Sequence, residues 1–106
     1  MTPTIEIAEF ASRHADGGFV VDVREAAEYV EGHVPGAVLA PVSMITRMLG
    51  SIPKDRKVHV ICASGNRSLA MTDLLIAQGY DAVSVNGGTS GWRAAGHPVV
   101  TGTNAG

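Results

Sequence analysis

Cysteine is almost missing from this chain: Cys62 is the only one in 106 residues. A single thiol has no internal disulfide partner and suits a reducing compartment, so the expected location is cytoplasmic. An excess of basic charge is also missing. Eight Lys and Arg stand against ten Asp and Glu, a net charge of −2, which argues against a nucleic acid or an acidic membrane as partner. No apolar run approaches the ~18–20 residues that span a bilayer. The opening Met1-Thr2-Pro3-Thr4-Ile5-Glu6 lacks the basic and apolar regions of a signal peptide, so no export is expected. There is no Gly-x-Gly-x-x-Gly or Walker pattern and no His-x-x-x-His spacing, so neither a metal nor any other cofactor is expected. Internal repeats, linkers and low-complexity segments are absent.

What is present reads as one globular domain. A chain of this length buries roughly 60–70% of the surface its unfolded form exposes, enough for a core without staples. The apolar fraction of 45% is ordinary for such a domain. Residues 1–100 are assigned to the domain, and 101–106, small and polar, to a flexible C-terminal tail.

Periodicity supplies the elements. Ile7, Phe10, Ala11 and His14 fall on one face of a helix over Glu6 to Ala15, stopped by Asp16-Gly17-Gly18. Phe19 to Val23 is a buried strand by its apolar, β-branched run. Glu25 to Glu31 is a short helix ended by Gly32, and Pro35-Gly36 is a turn before a strand at Ala37 to Ala40. Ser43 is placed to cap a helix with Ile45, Met48 and Leu49 inward and Gly50 as its stop. Lys54-Asp55-Arg56-Lys57 is a polar loop, and Val58 to Ile61 a second strong strand. A helix over Asn66 to Gln78 is expected to bury Ala70, Leu74 and Ala77, flanked by Met71 and Leu75. Ala82 to Val85 is a further strand, Asn86-Gly87-Gly88 a loop, and Thr89 to Ala95 a last helix. Short apolar strands alternating with helices imply parallel pairing with right-handed crossovers, hence an α/β layered domain.

The stretch that carries chemistry runs strand, cysteine, tight loop, helix: Val58-His59-Val60-Ile61, then Cys62, Ala63, Ser64 and Gly65, then Asn66, Arg67 and Ser68. Ligands of open α/β sheets bind at the carboxyl ends of strands, where Cys62 stands. A helix start leaves backbone N–H groups unpartnered and adds partial positive charge. A loop wrapped around the sulfur can aim more of them at it. Arg67, near the first turn, is expected to add a fixed charge, and Gly65 permits the φ > 0 and close backbone approach such a loop needs. Surroundings of this kind lower a thiol from ~8.5 to between ~3.5 and ~7.5 and so favour thiolate. A lone cysteine at a strand end is ordinarily a small buried hydrophobe; it is the Gly65-Asn66-Arg67-Ser68 that follows it which raises Cys62 above that reading.

Cys62-Ala63-Ser64-Gly65-Asn66-Arg67-Ser68 resembles the active-site loop of single-domain rhodaneses. Val21-Asp22-Val23-Arg24 with Glu28-Tyr29-Val30-Glu31-Gly32-His33-Val34-Pro35-Gly36-Ala37 resembles that family's N-terminal signature, and Gly87-Gly88-Thr89-Ser90-Gly91-Trp92 its C-terminal one. The three cover nearly the whole chain in order. The resemblance implies a three-layer fold, a central five-stranded parallel sheet with helices on both faces. It also implies a ping-pong sulfurtransferase. Cys62 would take the outer sulfur of a small donor such as thiosulfate as a persulfide and pass it to cyanide, a thiol or the cysteine of an acceptor protein. With no second cysteine, the acceptor must come from outside. The same resemblance makes Ala63 a departure, since many bacterial relatives carry a basic residue there; its absence weakens the expectation that the dianion thiosulfate is used efficiently.

Two other readings remain open at this stage. Rhodanese-like domains also serve as non-catalytic binding or sensor modules, often without the cysteine; Cys62 and Arg67 argue against that. Related phosphatases and arsenate reductases place five residues between cysteine and arginine, whereas four lie between Cys62 and Arg67, a tighter loop suited to a sulfur rather than a phosphate. Asp22 and Arg24, after a strand, are read as a structural ion pair supporting the site, and Glu28 as a neighbouring structural partner. His33 is read as a hydrogen-bonded turn residue and not a base. Trp92, the only tryptophan, is expected to pack the last helix on the sheet.

Overall fold

The computed structural model describes residues 1–106. Five strands form one sheet: β1 (Thr4–Ile5), β2 (Phe19–Asp22), β3 (Val38–Leu39), β4 (Val58–Ile61) and β5 (Ala82–Val85). Their spatial order is β1-β5-β4-β2-β3, and every pairing is parallel. The helices are α1 (Ile7–Ala15), α2 (Ala26–Glu31), α3 (Asn66–Ala77) and α4 (Gly88–Ala94).

Side chains alternate across each strand, and the core divides accordingly. Val21, Val58, Val60 and Ala82 point to one face, where Leu75 of α3 and the buried Ile45 and Ile52 cover them. Val20, Ile61, Val83 and Val85 point to the other, under Phe10 of α1, Tyr29 of α2 and Trp92 of α4. This is the layered arrangement the strand–helix alternation implied. Phe10 is fully buried and meets Trp92 edge-on at 5.4 Å between ring centroids, and the Trp92 indole N–H donates to Pro98 O at 2.7 Å.

Four expectations are corrected. β1 was not anticipated; two residues carry no periodicity, and only pairing with β5, Thr4 to Ser84 and Ile5 to Val85, makes them a strand. The helix expected after Ser43 is instead a pair of 3₁₀ turns, Ile45–Arg47 and Leu49–Ser51, with no side-chain cap. Gly50 disfavours a continuous helix, and Pro53 holds Ile52 extended at φ −107°, ψ 126°. In α3 the inward stripe is Ser68, Thr72 and Leu75, while Ala70 and Ala77 are exposed. The tail Thr101–Gly106 is tied down: the Gly102 N–H donates to Val30 O at 2.8 Å and the Gly36 N–H to Ala105 O at 2.7 Å.

One buried group makes stability depend on pH. The His59 ring lies within the layer beside Phe10, 5.8 Å between centroids. Its Nδ1 donates to Phe19 O at 2.8 Å, and its Nε2 is buried without a partner. Burial, partly offset by the bond to Phe19, lowers the His59 pKa from its ordinary 6.5. The unfolded chain therefore binds a proton at a pH where the folded one does not, and stability is present above 6.5 and lost as pH falls below it. Urea unfolding at about pH 7.5 and about pH 5 is expected to show a lower free energy at the acid end, and His59→Gln is expected to shrink that difference.

Candidate active site

The parallel strands end on one rim of the sheet, and Cys62 follows β4 directly. From Cys62 to α3 the chain turns through Gly65, whose φ of +109° lies in the left-handed region. That turn brings the Gly65 N–H to 3.1 Å from Cys62 Sγ. A Cβ at Gly65 would find only ordinary contact, 3.4 Å from Gly87 N, so the position is suited to glycine by its conformation. Ser68, fully buried in the first turn of α3, puts its Oγ 3.4 Å from the sulfur.

Cys62 is only 1% exposed, and burial alone would push its thiol pKa up. The Ser68 hydroxyl, followed by the main-chain N–H groups of Ser68, Gly65 and Ser64, outweighs burial and sets the thiol below its ordinary value. These donors thus favour the thiolate, in the manner of an oxyanion hole.

Arg67 interacts with Cys62 by charge, as expected of a fixed charge near the sulfur, but its hydrogen bonds go elsewhere. Its two terminal nitrogens bind Glu28 Oε1 at 2.7 Å and Oε2 at 2.8 Å. Arg67 holds the Glu28 carboxyl down to about 2, and Glu28 raises Arg67 in turn. The guanidinium charge is shared with a carboxylate, and the donors around Sγ are amides and a hydroxyl. The pair ties the start of α3 to α2 and spans 39 residues of sequence, which is why local spacing did not show it.

Asp22 and Arg24 form a buried ion pair, Arg24 Nη2 to Asp22 Oδ2 at 2.8 Å, and Arg24 Nη2 also donates to Gly32 O at 2.9 Å. Removing one partner of such a pair costs about 3–5 kcal/mol. Together they clamp both ends of the segment that presents Glu28. His33 is fully buried, with Nδ1 2.8 Å from Tyr29 O and Nε2 2.8 Å from Asn104 O, so both ring nitrogens are engaged with main-chain carbonyls. Ala63 is half-buried, and Ser64 and Asn66 are exposed on the rim. No three His, Cys, Asp or Glu side chains converge as a metal would need.

Two contributors escaped the sequence reading. Gly88 and Thr89 open α4 against the back of the loop: the Thr89 N–H donates to Cys62 O at 2.8 Å, the Ser90 N–H to Ala63 O at 3.0 Å, and Thr89 Oγ1 to Cys62 O at 3.1 Å. Gly87-Gly88 reads as a loop and, by resemblance, as part of the family's C-terminal signature; its contact with the Cys62 loop is not in either reading. The other is Ser84, whose Oγ donates to Ser68 Oγ at 2.8 Å; one serine in an apolar strand gave no signal.

A family model described as the rhodanese-like domain matches residues 6–95. A protein of Allochromatium vinosum named sulfurtransferase is 37% identical over 103 residues, covering 94% of this chain and 96% of its own length. Thiosulfate sulfurtransferase GlpE of Pseudomonas putida is 34% identical over 83 residues, 77% of this chain and 76% of that one. Among solved structures, a rhodanese-related protein of Thermoplasma volcanium superposes with a TM-score of 0.88 at 33% identity, covering 94% of this chain and 99% of that one.

The contact of α4 with the loop can be tested at Gly88. Its φ is +57°, and a Cβ there would lie 2.5 Å from Cys62 O and 2.7 Å from Ala63 O, backbone atoms that cannot swing aside. Gly88→Ala is expected to cost about 1–3 kcal/mol and to slow alkylation of Cys62 at neutral pH, as measured by thermal unfolding and by the iodoacetamide rate.

Proposed function

The chain belongs to the rhodanese-like domain family and is a transferase of the rhodanese type, and from that premise we propose that it carries sulfur as a persulfide on Cys62. The observation that supports this is what surrounds Sγ: the Gly65 N–H donates to it at 3.1 Å, and the Ser68 hydroxyl, 3.4 Å away, accepts from the thiol and can turn to donate to the thiolate. The thiolate attacks the outer sulfur of the donor. A bond forms from Sγ to that sulfur, and the bond between it and the rest of the donor breaks, its electron pair leaving with the departing group, sulfite when the donor is thiosulfate. The charge then rests on the terminal sulfur of the persulfide, which the rim amides are suited to hold. A nucleophile attacks that terminal sulfur, and Cys62 leaves as the thiolate it was. Cyanide would depart as thiocyanate; a thiol or a protein cysteine would depart as a new persulfide. A lone thiol doing this chemistry fits a reducing compartment such as the cytoplasm. No helix is long and apolar enough to cross a membrane.

The donor reading follows from charge. Ala63 adds none, the Arg67 charge is shared with Glu28, and Arg24 is paired with Asp22. A dianionic donor therefore gains little Coulomb attraction at this rim, and a singly charged or neutral sulfane-sulfur donor suits it better than thiosulfate.

Intact mass after incubation with a sulfane-sulfur donor is expected to show wild-type protein heavier by one sulfur, a gain that cyanide removes as thiocyanate. Cys62→Ala is expected to show neither; thiocyanate formed by the variant at the wild-type rate would refute the persulfide on Cys62.

For donor charge, Ala63→Lys is expected to raise kcat/KM for thiosulfate by about fivefold, the equivalent of about 1 kcal/mol for one added charge at a solvated rim. The gain should fade as salt is raised. An unchanged kcat/KM would show that donor choice does not rest on rim charge.

A further inference from the structure

Ser84 is a polar residue in an otherwise apolar strand, Ala82-Val83-Ser84-Val85, and it is fully buried. A hydroxyl removed from water costs roughly 1–3 kcal/mol unless it is paired, so its partner matters. By strand alternation it projects to the same face as Ala82, toward α3. There its Oγ lies 2.8 Å from Ser68 Oγ, which lies 3.4 Å from Cys62 Sγ. Three side chains from β5, α3 and the end of β4 thus stand in a row.

A serine hydroxyl has one hydrogen and rotates to suit its neighbours. Alone, Ser68 could spend that hydrogen on the sulfur or elsewhere. The thiol donates to the Ser68 oxygen; once it has lost its proton, with Ser84 still donating to that oxygen, the Ser68 hydrogen can turn toward the sulfur, and each bond in such a chain polarises the next. We propose that Ser84 is a positioning residue of the sulfur site, acting through Ser68 to commit the Ser68 hydroxyl to the Cys62 anion. The proposal rests on the reading of Cys62 as the sulfur carrier.

The experiment is the pH dependence of Cys62 alkylation by iodoacetamide in wild type, Ser84→Ala, Ser84→Thr, Ser68→Ala and the Ser84→Ala/Ser68→Ala double variant. Ser84→Ala removes one buried atom and leaves the strand's packing nearly intact. Its alkylation midpoint is expected to rise by roughly half a pH unit, and that of Ser68→Ala by about one unit. Ser84→Thr, which keeps the hydroxyl, is expected to stay near wild type. In the double variant the midpoint should equal that of Ser68→Ala alone, because a residue acting through Ser68 has nothing left to act on. A Ser84→Ala midpoint equal to wild type overturns the proposal, and so does a Ser84 effect that persists in full without Ser68. The readout is independent of sulfur transfer. A midpoint that shifts as expected in a protein that forms no persulfide would count against the transfer reading alone, and a persulfide formed with an unmoved midpoint against Ser84 alone.

Discussion

The proposed sulfur chemistry depends on keeping a nearly buried sulfur negatively charged. Burial opposes that charge, and the donors that oppose burial are weak one by one: the Ser68 hydroxyl and the N–H groups of Ser68, Gly65 and Ser64. Their strength lies in being fixed. The N–H groups need not reorganise when the charge on the sulfur changes, which is what makes preorganised dipoles effective in a water-poor site. An arginine against the sulfur would have offered more charge. The protein binds Arg67 to Glu28, a pair that joins α3 to α2.

The fold supplies the rigidity. β4, buried on both faces, delivers Cys62 to the rim, and α3 begins within four residues, so the loop has no slack. Behind it, α4 approaches closely enough for Thr89 and Ser90 to hold the carbonyls of Cys62 and Ala63. With the carbonyls drawn backward, the N–H groups of the same loop are free to face the sulfur. On the neighbouring strand the Asp22–Arg24 pair is a second clamp, closing the segment that carries Glu28.

Much of this was legible in the sequence because it is local. β2, β4 and β5 announced themselves as apolar runs, α1 by its spacing of Ile7, Phe10 and His14, and the Cys62 loop by the order strand, cysteine, glycine, helix. What was not legible is tertiary. Two residues become β1 only against β5. Ser68 and Thr72 face inward on α3 where apolar periodicity favoured Ala70 and Ala77; Ser68 meets the sulfur there. The Glu28–Arg67 and Ser84–Ser68 partnerships cross 39 and 16 residues, and no spacing rule encodes them. The tail looked frayed by composition, yet the carbonyls of Asn104 and Ala105 find His33 and Gly36.

The central claim is most directly tested by titrating Cys62 through the ultraviolet absorbance of its thiolate, using Cys62→Ala as the blank. An ionisation midpoint clearly below the ~8.5 of an unperturbed thiol is expected. A midpoint at or above that value would mean that burial prevails over the donors of the loop, and that the sulfur is an inert thiol at neutral pH.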